Sequence, residues 1–260
     1  MEMVTNLIII SSRVWHVSLN FIFKQVNPEL TIALVESIEE LNGIAEDFLI
    51  RSRLTGFLTD VIVPERILNQ VQYGCYNFHP SLPNRPGWAP LQYALLDNDE
   101  AFGITLHRMS PKVDAGYIVA IKKFAIEPSD DFIKVNEQVF LCLFSLLKEQ
   151  RLALIFNRGP LIPIPLSWGS LRKTKSDLLY DTLVHLNQVS KERLNSLVRA
   201  FGYSPELCLL RLKDSKGEKL YYFDHKKQSP GHRADLEAFG HNFFDLEPQS
   251  IPRVAQTHFI

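Results

Sequence analysis

The stretch "YNFHPSLPNRPG", residues 76–87, ends an apolar run and opens a proline-rich loop. Asn77 and His79 stand two residues apart at the end of a strand predicted over residues 71–78. Because side chains alternate along a strand, both point to the same side. Strand ends of this kind face the ligand crevice of an open α/β sheet. The stretch is typical of an active-site edge, and also of a turn with local side-chain hydrogen bonds.

The chain before this stretch alternates short apolar runs with segments of helical spacing. We predict strands over residues 7–10 and 30–35, helices over residues 14–23 and 36–45, and extended segments over residues 47–50 and 56–63. A further helix begins at Pro64, since proline suits the first turn. Strands that alternate with helices predict a parallel sheet with crossover helices.

The pattern changes after the loop. A short helix is predicted over residues 90–96, followed by two strands close in sequence, residues 102–109 and 117–124, and a long helix over residues 131–156. Two strands so close together predict an antiparallel or mixed sheet edge. The fold class expected is therefore α/β, with a Rossmann-like open sheet.

A domain boundary is predicted in "RGPLIPIPLSWGS", residues 158–170, which holds three prolines and two glycines. Residues 1–165 would form the catalytic domain and residues 166–260 a small appendage. The appendage is predicted to hold helices over residues 175–186 and 191–201, a hairpin of residues 207–212 and 219–223, and an irregular tail from residue 224. An uncovered hairpin edge invites pairing with a second chain, so a homodimer is expected.

Composition excludes several classes of function. The 260 residues carry a net charge of −1, which disfavours nucleic acid as the main partner. Three distant cysteines, Cys75, Cys142 and Cys208, show neither metal-ligand spacing nor a disulfide framework. No apolar run has the length of a membrane span and no secretion signal is recognisable, so a cytoplasmic protein without metal is expected. The phosphate-binding glycine patterns of dinucleotide enzymes and P-loop proteins are absent from the sequence.

Asp114, in "SPKVDAGYIV", is the third candidate for catalysis. A carboxylate beside a histidine stabilises the imidazolium form, and such a histidine can take or give a proton. An asparagine amide can donate to the oxyanion of a carbonyl under attack. Asn77, His79 and Asp114 together suit acyl transfer between two bound molecules without a covalent enzyme intermediate. An aspartate before Ala-Gly is also ordinary turn chemistry.

The ordered motifs resemble the formyltransferases that use 10-formyltetrahydrofolate. "NFHPSLP" followed by "GWAPLQYALLDNDEAFGITLHRMSPKVDAGYIVA" carries the resemblance, which is close over residues 47–120. It implies that Asn77 binds the formyl oxygen, that His79 is the catalytic histidine and that Asp114 orients it or a water molecule. His107 matches a secondary histidine of the family, or is a structural strand residue. The loop after His79 is one residue shorter than usual, which alters the substrate mouth.

The resemblance also implies where the folate co-substrate binds. Backbone groups before Pro64 would hold the pterin, with a second loop opposite. The residues concerned are Leu58, Thr59, Asp60, Val61 and Ile62, with Ser110 and Val113 in the opposite loop. The same apolar segment is otherwise simply a buried strand.

Among these enzymes the chain is most similar to the sugar N-formyltransferases. That type implies, as acceptor, a nucleotide-linked 4-amino-4,6-dideoxyhexose, such as GDP-perosamine or a dTDP-linked sugar, used for O-antigen and other surface polysaccharide. Ser81, Trp88, Arg172 and Lys173 would bind this substrate, and Trp168 would stack on the base or pin the linker. Alternatives are another acceptor amine (methionyl-tRNA, an amino acid or a hydroxylamine) and an inactive ligand-binding member of the fold.

Overall fold

The computed structural model describes residues 3–185, 188–201, 211–214, 217–223 and 243–245, the last three segments as backbone strands only. The chain folds as two compact units. The first comprises residues 1–86, 103–124 and 138–171, and the second comprises residues 87–102, 125–137 and 172–260. The predicted domain boundary after residue 165 stays a prediction.

Within the described residues, six strands form one sheet in the order β2-β1-β3-β4-β5-β6. The strands are β1 Asn6–Ile10, β2 Thr31–Val35, β3 Ser52–Phe57, β4 Cys75–His79, β5 Ala101–Arg108 and β6 Ile118–Ala125. The first four run parallel and β5 pairs antiparallel with β4. The predicted open α/β sheet with a mixed edge is confirmed.

Eight helices accompany these strands in the described part of the chain. They are α1 Arg13–Lys24, α2 Ile38–Asn42, α3 Glu46–Ile50, α4 Glu65–Gln70, α5 Pro90–Leu96, α6 Phe132–Phe156, α7 Lys175–Asp181 and α8 Lys191–Phe201. None of them is long and apolar enough to cross a membrane.

Both faces of the sheet in the first unit are covered. Leu7, Ile8, Ile9 and Ile10 of β1 are fully buried, as expected for a strand that is packed on both sides. On one face, Trp15 of α1 lies edge-on to Phe57 and to Phe144 of α6. Such a core fixes the strands whose carboxyl ends carry the site.

Two predicted extended segments are wrong. Residues 47–50 belong to the one-turn helix α3, whose first turn carries Glu46 and Asp47, and acidic residues there favour a helix N-terminus. The second extended segment begins earlier than predicted, because β3 starts at Ser52 and ends at Phe57. Leu58 then adopts a φ of 49°, outside the strand region, and residues 58–64 are irregular.

In the second unit, α5 and α8 pack together, with the rings of Tyr93 and Phe201 5.8 Å apart. Arg199 holds this packing in place by donating from Nε to the Asp130 carbonyl and from Nη1 to Asn98 Oδ1. The predicted helix over residues 175–186 ends at Asp181, where a short strand follows.

A second sheet, of four strands, lies in the second unit in the order β10-β9-β8-β7. Its strands are β7 Leu183–His185, β8 Arg211–Asp214, β9 Gly217–Phe223 and β10 Phe243–Asp245. The predicted hairpin is the antiparallel pair β8 and β9, although residues 207–210 lie outside the described residues. Because β7 pairs with β8 and β10 with β9, neither hairpin strand is left as an open edge. The homodimer stays a prediction, now without that argument.

Candidate active site

Asn77 and His79 lie at the carboxyl end of β4, between a parallel and an antiparallel neighbour. Asn77 is in register with Gly56 of β3 on one side and with His107 of β5 on the other. His79 stands opposite Thr105. Side chains in register across neighbouring strands share a face, so His107 joins the two predicted residues on one side of the sheet.

Asp114 reaches this group from the loop between β5 and β6. Its Oδ2 lies 3.7 Å from His79 Nε2, and its Oδ1 lies 3.6 Å from His107 Nε2. The carboxylate is buried, and its backbone has a φ of 44°, a left-handed conformation that aspartate tolerates better than most residues. The structure thus brings the three predicted catalytic residues together and adds His107.

The protonation state of His107 follows from its surroundings. Its Nδ1 lies 2.9 Å from the carbonyl oxygen of Arg108, which can only accept, so Nδ1 carries the hydrogen. Burial, and then the neighbouring His79, lowers the pKa of His107 to about 4. In the neutral ring, Nε2 is an acceptor, and Asn77 Nδ2 lies 3.5 Å from it. His107 therefore orients the amide of Asn77.

Two buried polar atoms in the site have no hydrogen-bond partner among the described residues: Asn77 Oδ1 and His79 Nε2. Buried polar atoms are normally satisfied, so two such atoms on one strand mark a place where a ligand or water binds. The gap of 3.7 Å between His79 and Asp114 is too long for a direct hydrogen bond and suits a bridging group.

One predicted folate segment, and the residue that precedes the other, lie close to Gly56, the neighbour of Asn77 on β3. A Cβ placed on Gly56 would meet Asn77 Oδ1 at 2.6 Å, Met109 Cε at 2.9 Å and Thr59 Cγ2 at 3.3 Å. Thr59 belongs to the segment that follows β3, and Met109 directly precedes the opposite loop. The members of these two segments differ in exposure. Leu58, Thr59 and Val61 are partly buried and Ser110 likewise, whereas Asp60, Ile62 and Val113 are exposed.

Of the predicted substrate-binding residues, Ser81 is fully buried in the loop that follows β4. Its hydroxyl lies within hydrogen-bond distance of the carbonyls of Leu82 and Arg85, and its own carbonyl accepts from Thr105 Oγ1. These bonds hold the loop that follows β4 in its shape. The placement of Ser81 therefore does not support direct contact with a substrate.

Trp88, Arg172 and Lys173 belong to the second unit. The backbone N–H of Trp88 donates to the Lys173 carbonyl. The Lys173 ammonium lies 2.9 Å from Asp181 Oδ2 and 4.6 Å from the centre of the Tyr93 ring. Lys173 therefore already has a carboxylate partner, with which a diphosphate would have to compete. Their contact with a sugar nucleotide stays a prediction.

Two further residues shape the site. Gly56 makes room for the amide of Asn77, and a glycine inside an apolar strand is a sequence signal of such a close approach. Trp168 lies with its ring 5.9 Å from that of His79 and 5.0 Å from that of His107. No sequence signal links this tryptophan to the two histidines.

Gly56→Ala should lower turnover on the order of 100-fold, since misplacing a catalytic group by about 1 Å has that effect. The added methyl would overlap Asn77 Oδ1, and the displaced amide would lose its alignment. Steady-state kinetics of formyl transfer would measure the effect. Gly43→Ala is the matched control, because its nearest contact would be an ordinary 3.4 Å. Equal activity in both variants would contradict the role of Gly56.

The buried, neutral His107 should make the folded state sensitive to acid. Its pKa is about 4 in the folded chain and 6.5 ordinarily. Between these values the unfolded chain binds the extra proton, so stability is full above the ordinary pKa and falls as the pH drops toward 4. The slope from this one residue is at most about 1.4 kcal/mol per pH unit.

His107→Gln should flatten that pH dependence. Urea unfolding of both proteins at about pH 7.5 and about pH 5 would measure this pH dependence, because the two values lie on either side of the ordinary histidine pKa. A wild type whose free energy of unfolding falls no more than that of the variant would disprove the assignment.

Comparison with known proteins identifies the class to which this site belongs. Residues 35–140, which include Asn77, His79 and Asp114, match the formyl transferase family. The match covers less than half of the 260 residues. A methionyl-tRNA formyltransferase of Ehrlichia ruminantium is 40% identical over 169 residues, 63% of this chain and 52% of the relative. The chain spans about half the length of such curated relatives.

Solved structures share the fold over most of the chain. A sugar N-formyltransferase from Shewanella superposes with a TM-score of 0.69 at 20% identity, over 86% of this chain and 99% of the other. An N-formyltransferase from Helicobacter canadensis, solved with folinic acid and dTDP-3-aminofucose, gives a TM-score of 0.58 at 16% identity, over 87% of this chain and 90% of the other.

Proposed function

We propose that this chain transfers a formyl group from 10-formyltetrahydrofolate to the amine of a nucleotide-linked amino sugar. The observation that carries formyl transfer is the cluster of Asn77, His79 and Asp114 in a formyl transferase domain, with buried polar atoms left unpaired. Asn77 Oδ1 is an acceptor, and so is His79 Nε2 in the tautomer that carries its hydrogen on Nδ1, so the N–H groups of an incoming amine would satisfy both atoms.

The geometry supports a direct transfer. The amine nitrogen of the acceptor would form a bond to the formyl carbon, and the bond from that carbon to the folate nitrogen would break. Asn77 Nδ2 carries two hydrogens, so it can donate to the oxygen that becomes negative while its 3.5 Å contact with His107 is kept. His79 would take the proton that the amine loses and return one to the departing nitrogen. Asp114, 3.7 Å away, would balance the charge on the imidazole.

The folate co-substrate would lie along residues 58–62, facing the loop of residues 110–113. Thr59 of the first segment and Met109, the residue before the loop, lie close to Gly56, as their short distances to a Cβ there indicate. Residues 58–64 are irregular, so their backbone N–H and C=O groups are not committed to a strand ladder and can bind a ligand. When bound, the folate supplies the activated formyl group; the chain supplies orientation and proton transfer.

The sugar acceptor is favoured by the likeness of the whole fold. The Shewanella sugar N-formyltransferase superposes with a TM-score of 0.69, against 0.59 for a methionyl-tRNA formyltransferase from Clostridium thermocellum, and 99% of each of the two is covered. A net charge of −1 also offers no general attraction for tRNA. Within this class we propose a 4-amino-4,6-dideoxyhexose, such as GDP-perosamine or its dTDP-linked equivalents, in the synthesis of O-antigen, and a homodimer in the cytoplasm.

Methionyl-tRNA is the second candidate acceptor, because relatives that match this sequence are named methionyl-tRNA formyltransferases. A direct test incubates the purified chain and 10-formyltetrahydrofolate with GDP-perosamine, a dTDP-4-amino-4,6-dideoxyhexose, dTDP-3-aminofucose or charged methionyl-tRNA. Mass spectrometry would detect the gain of one formyl group. Formylation of a sugar nucleotide alone supports the proposal, whereas formylation of methionyl-tRNA alone replaces it with the second candidate.

Two controls sharpen that test. A sugar nucleotide with a hydroxyl in place of the amine should gain no formyl group, because it lacks the nucleophile. Folinic acid carries its formyl group on a nitrogen of the pterin ring and not on the bridging nitrogen, so it should not serve as donor. If folate binds but neither class of acceptor is formylated, the chain is an inactive ligand-binding member of the fold.

A further inference from the structure

Trp168 is the one residue between 165 and 170 that is turned inward in the structure. Its neighbours at positions 165–167, 169 and 170 are exposed, while Trp168 is half-buried. Its ring meets those of His79 and His107 edge to face, at 5.9 Å and 5.0 Å. Contacts of this geometry are favourable for aromatic rings and fix their mutual orientation.

The indole N–H of Trp168 also reaches the loop that carries Asp114. Nε1 donates to the Gly116 carbonyl at 2.7 Å. That loop is tight, since a Cβ on Gly116 would lie only 1.9 Å from the Arg108 carbonyl oxygen. One side chain thus contacts both histidines and holds the loop of their shared carboxylate.

The segment around Trp168, residues 164–169, is tied to the first unit on either side of the tryptophan. The N–H of Ile164 donates to the Ile118 carbonyl of β6, and the N–H of Gly169 donates to the Pro83 carbonyl in the loop after His79. Gly169 lies so close to that loop that a Cβ would stand 2.8 Å from Asn84 Cα. Backbone hydrogen bonds on both sides of Trp168 therefore fix where this residue lies.

We propose that Trp168 is a positioning residue of the active site, which keeps the Asp114 loop in place and both histidines packed away from water. The inference rests on the proposed formyl transfer, but it assigns a role to a residue beyond the matched family domain, which ends at residue 140. Asp114 needs such a support because its backbone is held at a positive φ, and a strained residue persists only where its surroundings determine it.

The state of His107 reports on this role without any substrate. The titratable groups that face it are His79 on β4 and Asp114 in the β5–β6 loop; Arg108 contributes its backbone carbonyl, and Asn77 and Trp168 are neutral. Burial is the main cause that lowers the pKa of His107. Removing the indole would admit water, so the pKa of His107 should rise toward its ordinary value.

The test compares Trp168→Ala, Trp168→Phe and the control Leu166→Ala, whose exposed side chain lies two residues away. NMR titration of the His107 ring should show the pKa near 4 in the wild type and a rise toward 6.5 in Trp168→Ala. Trp168→Phe retains a ring against the histidines, so its titration should stay as in the wild type. Leu166→Ala should match the wild type throughout.

Turnover should separate the two contacts of the indole. Trp168→Ala loses both and should fall on the order of 100-fold, as expected when catalytic groups are misplaced. Trp168→Phe loses only the hydrogen bond to Gly116, so a fall of about 5-fold is expected. Gly169→Ala, which keeps the indole but pushes the segment off Asn84, should resemble Trp168→Ala.

Wild-type titration of His107 in Trp168→Ala would overturn the proposal, as would full turnover of that variant. A lower melting temperature with unchanged titration would show a merely structural role and would also overturn it. If no acceptor is formylated by the wild type, the proposed function is wrong, and the titration alone then decides the role of Trp168.

Discussion

Replacing His79 with glutamine should lower the rate of formyl transfer by about 100- to 10,000-fold, the usual contribution of a positioned acid–base group. His79 is buried, and its Nε2 faces the carboxylate of Asp114 with no hydrogen-bond partner among the described residues. Glutamine keeps a polar side chain of similar length but cannot accept and return a proton at neutral pH. The folate should still bind, because its proposed site uses the backbone of residues 58–62.

Asp114→Asn should cause a loss of similar size, and the double variant should lose little more than either single one. In the proposed mechanism the carboxylate acts through its charge on the imidazole, 3.7 Å away, so the two residues would form one catalytic unit. Residues that act as a unit give strongly non-additive effects. Single-turnover kinetics, with folate binding measured separately by calorimetry, would distinguish loss of chemistry from loss of binding.

His16→Gln is the matched control for the histidine change. His16 lies on α1, where its ring contacts the Ser11 carbonyl, and it has no part in the site. Its variant should retain wild-type turnover. If His79→Gln and Asp114→Asn are both as active as this control, then the proposed chemistry does not occur at these residues.

Local patterns in the sequence predicted much of the frame that holds these residues. The helix over residues 90–96 is confirmed as α5, because Pro90 suits a first helical position. The helix over residues 191–201 is confirmed as α8, whose apolar residues recur along one buried face. The shared direction of Asn77 and His79 also followed from the period of a strand alone.

Contacts between distant segments could not be predicted in the same way. The end of β3 depends on the positive φ of Leu58, and a leucine in the sequence gives no signal for that conformation. The pairing of Lys173 with Asp181 is set by how α7 packs, so the sequence offered the lysine as a free ligand for phosphate. Likewise, only the folded chain shows that Trp168 lies on His79 and His107.

The buried Arg53 joins three parts of the first unit by hydrogen bonds to backbone carbonyls. From β3 its guanidinium donates to Tyr73 before β4, to Ala153 and Leu154 at the end of α6, and to Gly159 beyond it. The side chain is fully buried and stacks over the Tyr76 ring at 5.4 Å. Burial lowers the pKa of Arg53 to about 10, so the group is still charged at neutral pH.

Arg53→Met should lower the free energy of unfolding on the order of 3 to 5 kcal/mol. Methionine fills much of the same volume but donates no hydrogen bond, so the Ala153 and Leu154 carbonyls at the end of α6 would lose this partner, and that of Leu154 would be left buried and unpaired. Those carbonyls belong to the last turn of a helix and have no partners within it. Loss of this anchor should also loosen residues 157–161, where the Leu161 N–H donates to Tyr76 Oη.

Urea unfolding at pH 7 would measure the loss, and hydrogen exchange would locate it. Arg66→Met is the matched control, because Arg66 is exposed and, among the residues that the structure describes, bonds only to the side chains of Gln70 and Asn42. Its unfolding midpoint should stay close to that of the wild type. Exchange at the amides of residues 153–161 should accelerate in Arg53→Met before that of β1, since the anchor acts on the end of α6 first. Equal midpoints for the two variants would show that the buried guanidinium contributes no net stability.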